Sequence, residues 1–113
     1  MGCYNIKIKK LNDNAVIPTR GSEFAAGYDL YACIDSPVTI LPHTTKKIGT
    51  GLAMELPVGY FGAIFARSGL ATKRALAPAN KVGVIDSDYR GEICVGVINQ
   101  LKEAYTINPD ERI

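Results

Sequence analysis

The sequence predicts an all-β fold, a β-sandwich or jelly roll carrying one short helix. Turn residues interrupt the chain roughly every eight to twelve positions, the spacing of short strands in sandwiches and barrels. The runs between them are brief and rich in β-branched and aromatic residues. One segment, 68–76, breaks this pattern with good helix formers and no β-branched run.

Tyr4, Ile6 and Ile8 alternate with Asn5, Lys7 and Lys9, the signature of a half-buried first strand. Residues 28–34 form a short apolar run that Asp35-Ser36-Pro37 ends. Residues 38–41 predict a strand closed by Pro42. Residues 48–56 and 60–66 predict two more, separated by Pro57-Val58-Gly59. Ser68 stands where it can cap the helix, which must stop before Pro78. Residues 82–85 and 93–98 flank a polar turn and predict a hairpin. Residues 105–108 give a last strand before Pro109-Asp110. The single histidine, His43, lies in Leu41-Pro42-His43-Thr44 and reads as a surface turn.

A chain of 113 residues reads as one domain, 1–113, with 47% hydrophobic and 21% charged residues. A domain this small buries a limited share of its surface, so subunit association is plausible on size alone. A net charge of +2 is too weak to argue for nucleic-acid binding, and Lys9-Lys10 and Lys46-Lys47 are isolated pairs. No apolar stretch approaches the roughly 20 residues of a spanning helix. The N-terminus has no apolar signal-peptide core, and Ile6 occupies the Ser/Thr place of a myristoylation motif. Cys3, Cys33 and Cys94 are widely spaced and odd in number, which fits reduced thiols in the cytosol better than disulfides or zinc. A cytoplasmic location is expected, with nuclear, organellar and viral contexts left open.

Three segments stand apart from this background. They are Ala25-Ala26-Gly27-Tyr28-Asp29-Leu30, then Ala66-Arg67-Ser68-Gly69-Leu70-Ala71, then Gly83-Val84-Ile85-Asp86-Ser87-Asp88-Tyr89-Arg90-Gly91-Glu92. On residue type alone, Asp86-Ser87-Asp88 reads as turn chemistry. Asp86 and Asp88 make a poor metal pair, because alternate residues of a strand face opposite ways. Arg67, Ser68 and Gly69 sit where a strand meets the expected helix. There, free N–H groups, a hydroxyl and a permanent cation suit a phosphate, though a capped helix with a surface arginine explains them as well.

In this order, the three segments resemble the motifs of the trimeric dUTP diphosphatases, and the likeness extends over essentially the whole chain. The resemblance implies a distorted jelly roll assembled as a homotrimer. It implies hydrolysis of dUTP to dUMP and pyrophosphate by in-line attack of water on the α-phosphate, with each site shared between subunits and the third motif coming from a neighbour. Asp86 would orient the attacking water and contact the deoxyribose 3′-hydroxyl. Tyr89 would pack beneath the deoxyribose and leave no room for a 2′-hydroxyl. Asn80 and the main chain of Gly83, Val84 and Ile85 would read uracil. Arg67, Ser68 and Gly69 would hold phosphate. Asp29 would act near Mg2+, through water, while the triphosphate carries most of the metal's ligands.

Two departures bear on this. Ala66 stands where the family usually has proline. Asp110-Glu111-Arg112-Ile113 resembles only the opening of the fourth motif, and the Gly-rich fifth motif does not follow. The expectation is therefore a domain truncated before its C-terminal arm, which binds substrate but turns it over weakly. The alternative is a non-catalytic deoxyuridine-nucleotide-binding or regulatory trimer. The related dCTP deaminase shares the fold, but segment 86–89 fits the diphosphatase better.

Overall fold

A computed structural model describes residues 5–113, so Cys3 and the Tyr4 end of the first alternating run lie outside the described residues. Nine short strands and one helix are assigned within it: β1 (Lys7–Lys10), β2 (Val38–Ile40), β3 (Thr45–Gly49), β4 (Leu52–Glu55), β5 (Gly62–Ile64), α1 (Ser68–Arg74), β6 (Leu76–Pro78), β7 (Gly83–Ile85), β8 (Cys94–Asn99) and β9 (Tyr105–Ile107). All pairings between them are antiparallel. The strands form three two-stranded ribbons, β1-β4, β2-β9 and β5-β7, and a three-stranded sheet of order β3-β8-β6.

The central strand β8 explains the core. Val95, Val97 and Asn99 are buried while Cys94, Gly96 and Ile98 are half-buried, the alternation of a pleated strand. Val95 and Val97 pack with Ala32, Ile40, Ile48, Leu76, Ile107 and Ile113 in one cluster. Burying each larger aliphatic side chain stabilises the fold by about 1.5–3 kcal/mol. Asn99, wholly buried, donates from Nδ2 to the carbonyls of Ile40 (2.9 Å) and Glu103 (2.8 Å), and its Oδ1 accepts from Leu101 N–H (2.9 Å).

The expected strand 48–56 is two strands. Gly51 has a φ of +69°, and a Cβ there would lie 2.9 Å from both Ala15 Cβ and Cys33 Sγ. The left-handed turn lets β3 pair with β8 while β4 turns away to pair with β1. The expected hairpin of 82–85 with 93–98 is also corrected: β7 pairs with β5, and β8 with β3 and β6. Both edges of β8 are taken by β3 and β6, which leaves none for β7. Residues 28–34 make only isolated bridges, Thr19 to Asp29 and Tyr31 to Arg112.

The helix is shorter than expected, and its cap differs. Arg67, extended at φ −84° and ψ 134°, is the N-cap and makes no side-chain cap hydrogen bond. Ser68 is the first helical residue rather than the cap. The helix ends at Ala75, which is left-handed at φ 51°, and Lys73 and Arg74 in its last turn complement the helix dipole. The chain then enters β6, a strand the sequence did not suggest. Pro78 is tolerated there because β6 lies at the sheet edge.

Candidate active site

β7 and the turn after it line a cleft of about 480 Å³. Asn80, Gly83, Val84, Ile85, Asp86 and Tyr89 line it together with Lys47, Ile64, Glu92, Ile93 and Cys94. β7 pairs with β5 alone, so among the described residues its other edge keeps free main-chain donors and acceptors. Asp86 follows β7 directly and is exposed. Its carbonyl accepts from Tyr89 N–H (3.1 Å), which closes a tight turn. The Tyr89 hydroxyl donates to the carbonyl of Glu92 (2.8 Å), and Arg90 donates to the carbonyl of Ser87 (2.7 Å). Asn80 sits in a second turn, where Lys81 N–H reaches the Pro78 carbonyl (3.1 Å) and Lys81 takes a left-handed φ of 70°.

A second cluster lies elsewhere in the same chain. Asp29 faces two guanidinium groups, Arg67 (Nε to Oδ1, 3.5 Å) and Arg112 (3.4 Å to Oδ2). Residues 110–113 run beside 30–32: Ala32 N–H donates to the Glu111 carbonyl (2.8 Å), and Ile113 N–H donates to the Leu30 carbonyl (2.9 Å). This pairing carries Arg112 to Asp29. Ser68 and Gly69 are exposed beside the cluster at the start of α1.

The ribbon register decides how the two clusters relate. Gly62 pairs with Ile85 and Ile64 with Gly83. Asp86 therefore leaves the ribbon at the Gly62 end, and Arg67 follows from the Gly83 end. The cleft gathers Asn80, Gly83, Val84, Ile85, Asp86 and Tyr89, whereas Asp29, Arg67, Ser68 and Gly69 are not among its lining residues within one chain.

The donor set does not fit a resident metal. Both Asp29 oxygens are engaged by arginines, and no group of three or more His, Cys, Asp or Glu among the described residues is arranged to hold an ion. Burial raises the thiol pKa of Cys94, and the charge and hydrogen bond of Glu92 raise it further, against a lowering by Lys47. Burial likewise raises Cys33, with Glu92, Asp110 and Asp35 adding to it.

Sequence reasoning missed Lys47, Glu92, Cys94 and Arg112. Glu92 and Arg112 stand inside recognised motifs but lacked an assigned partner. Lys47 and Cys94 gave no signal, since strand pairing alone carries them to the cleft wall.

A strand-rich jelly roll, a carboxylate in a cleft beside an open strand edge and a separate guanidinium cluster define an all-β protein with a candidate small-molecule site. The chain belongs to the dUTPase family, whose family model matches residues 13–113. It is 55% identical over 98 residues to the deoxyuridine 5′-triphosphate nucleotidohydrolase of Desulfitobacterium hafniense, covering 86% of this chain and 65% of that protein. It is 51% identical over 108 residues to the enzyme of the same name from Nautilia profundicola, covering 96% of this chain and 75% of that one. Among solved structures, a variant dUTPase of Staphylococcus bacteriophage 80alpha with dUpNHpp superimposes at a TM-score of 0.87, with 25% identity over 98% of this chain and 79% of that one.

Proposed function

We propose that the protein hydrolyses dUTP to dUMP and pyrophosphate. The observation that carries this reading is the joining of Asp86 and Tyr89 with the open edge of β7 in a single cleft. Family membership supplies the substrate.

In this reading the open edge of β7, at Gly83, Val84 and Ile85, pairs with the uracil edge, and the Asn80 amide adds a further contact. The Tyr89 ring forms the floor under the deoxyribose. Asp86 holds a water and takes its proton as the oxygen attacks the α-phosphorus; the bond to the β-phosphate oxygen breaks, and pyrophosphate leaves. Arg67, Ser68 and Gly69 bind phosphate oxygens. Mg2+ is part of the substrate, carried by the triphosphate and water.

The separation of the two clusters supports a homotrimer in which the arginine cluster of one subunit serves the cleft of another. Exposed apolar side chains on and beside the β5-β7 ribbon support the same assembly: Phe61, Phe65 and Val84 are 63%, 65% and 62% exposed. No helix among the described residues is long and apolar enough to cross a membrane. The free thiols Cys33 and Cys94 suit a reducing compartment such as the cytoplasm.

The test is product analysis. Purified protein with Mg2+ should convert dUTP to equimolar dUMP and pyrophosphate and leave UTP, dCTP and dTTP intact. Tight binding of a non-hydrolysable dUTP analogue without any turnover would overturn the enzymatic reading in favour of a nucleotide-binding trimer.

A further inference from the structure

We propose that Glu92 is a positioning residue for this hydrolysis: its carboxylate locks the Asp86–Tyr89 turn onto the corner between β3 and β4. The inference rests on the functional reading above and deepens it.

Two glycines make room for the lock, and a third donates a hydrogen bond to it. Glu92 Oε2 accepts from Gly51 N–H (2.9 Å). The carboxylate lies directly over Gly49, where a Cβ would overlap its oxygen. Gly49 has no left-handed φ, so a side chain there would disturb the seat of Glu92 rather than the backbone conformation. At the other end of the lock, a Cβ on Gly91 would come within 2.6 Å of the Tyr89 hydroxyl. With glycine at that place, the ring folds over the turn and its hydroxyl reaches the Glu92 carbonyl (2.8 Å). Glu92 thus bonds through its side chain to the corner and through its carbonyl to Tyr89, and Tyr89 N–H bonds to Asp86.

Neighbouring contacts show why a side chain is needed. Ile93 is already fixed to the corner, donating to the Leu52 carbonyl (2.8 Å) and accepting from Thr50 N–H (3.1 Å) and hydroxyl (2.7 Å). Those bonds hold the start of β8 but none reaches back into the turn. Glu92 is the step that extends the clamp. Its carboxylate has no ion-pair partner among the described residues, so ion pairing does not explain its place there.

The experiment compares wild type with Glu92→Ala, Gly49→Ala and Glu92→Gln. Two readouts are taken: kcat with the dUTP-to-UTP selectivity ratio, and amide hydrogen exchange across residues 86–92. Misplacing the turn by a fraction of an ångström should lower kcat by about tenfold or more in Glu92→Ala and Gly49→Ala and erode selectivity. Exchange in 86–92 should rise while β2 and β9 stay protected. Glu92→Gln retains an acceptor oxygen and should recover most of both losses. Unchanged kcat, selectivity and exchange in Glu92→Ala would overturn the inference, as would Glu92→Gln behaving no better than Ala. If wild type itself fails to hydrolyse dUTP, the functional reading falls, and the exchange data alone decide whether Glu92 holds the turn.

Discussion

Arg67 Nε lies 3.5 Å from Asp29 Oδ1, so the residue that opens α1 is tied to a loop ahead of the core. Arg112 reaches the other oxygen of the same carboxylate. One aspartate therefore sets the direction of two guanidinium groups. Both sides of the Asp29–Arg67 pair are about a quarter exposed, at 24% and 26%, so the pair adds at most about 1 kcal/mol to stability. Asp29→Asn should lower the melting temperature only slightly while raising KM for dUTP several-fold, because the arginines lose their orientation. A sharp loss of stability with unchanged KM would make the cluster purely structural.

Asp86 carries the chemistry in the proposed reaction. Asp86→Asn keeps the shape but removes the proton acceptor, and kcat should fall by roughly 10²–10⁴. Titration calorimetry with a non-hydrolysable dUTP analogue should still register binding. Full activity in this variant would remove the basis of the mechanism.

Tyr89 separates ring from hydroxyl. Tyr89→Ala should raise the relative kcat/KM for UTP, since the surface beneath the sugar is gone. Tyr89→Phe retains the ring and loses only the bond to the Glu92 carbonyl, so its selectivity should lie between alanine and wild type. Parallel assays with dUTP and UTP measure this directly.

Asn99 is the buried polar keystone of the sheet. Asn99→Ala strands the carbonyls of Ile40 and Glu103 and the N–H of Leu101, and should cost about 2–4 kcal/mol in urea unfolding. Asn99→Asp should be at least as damaging, because it turns a donor into an acceptor facing two carbonyls.

Alkaline pH should destabilise the fold. Burial raises the Cys33 and Cys94 thiols above their usual 9.0, and burial with a Glu111 hydrogen bond raises Tyr105 above its usual 10.0. A raised pKa means the folded state holds the proton more tightly. The associated stability is complete below the unfolded values and is lost as pH climbs through the folded ones. The melting temperature should therefore decline steadily from about pH 9 upward. Replacing both cysteines with alanine should flatten the early part of that decline.

The strands legible in the sequence were those with local punctuation. Val38–Ile40 ends at Leu41-Pro42, and Tyr105–Ile107 ends at Asn108-Pro109, and both were visible. What stayed hidden depends on distant partners. Nothing near 82–85 says that it pairs with 62–64 rather than with the strand that follows. The split at Gly51 is set by Ala15 and Cys33, which come from other loops. Residues 76–78 form a strand only because β8 presents an edge to them. The candidate site divides the same way. Asp86 and Tyr89 announce themselves in a contiguous motif, whereas Glu92's seat over Gly49 exists only once β3 and β8 are side by side.

The pairing of β2 with β9 has a consequence for how the protein is born. Val38 meets Ile107, and Ile113 packs in the same cluster as Ile40. A nascent chain emerging from the ribosome has no complete hydrophobic centre until residues 107–113 appear. Loop closure over such distances is slow, and apolar segments stay uncovered meanwhile. Synthesis should thus leave a chain whose core closes only once residues 107–113 are available, with its dependence on chaperones greatest before that point.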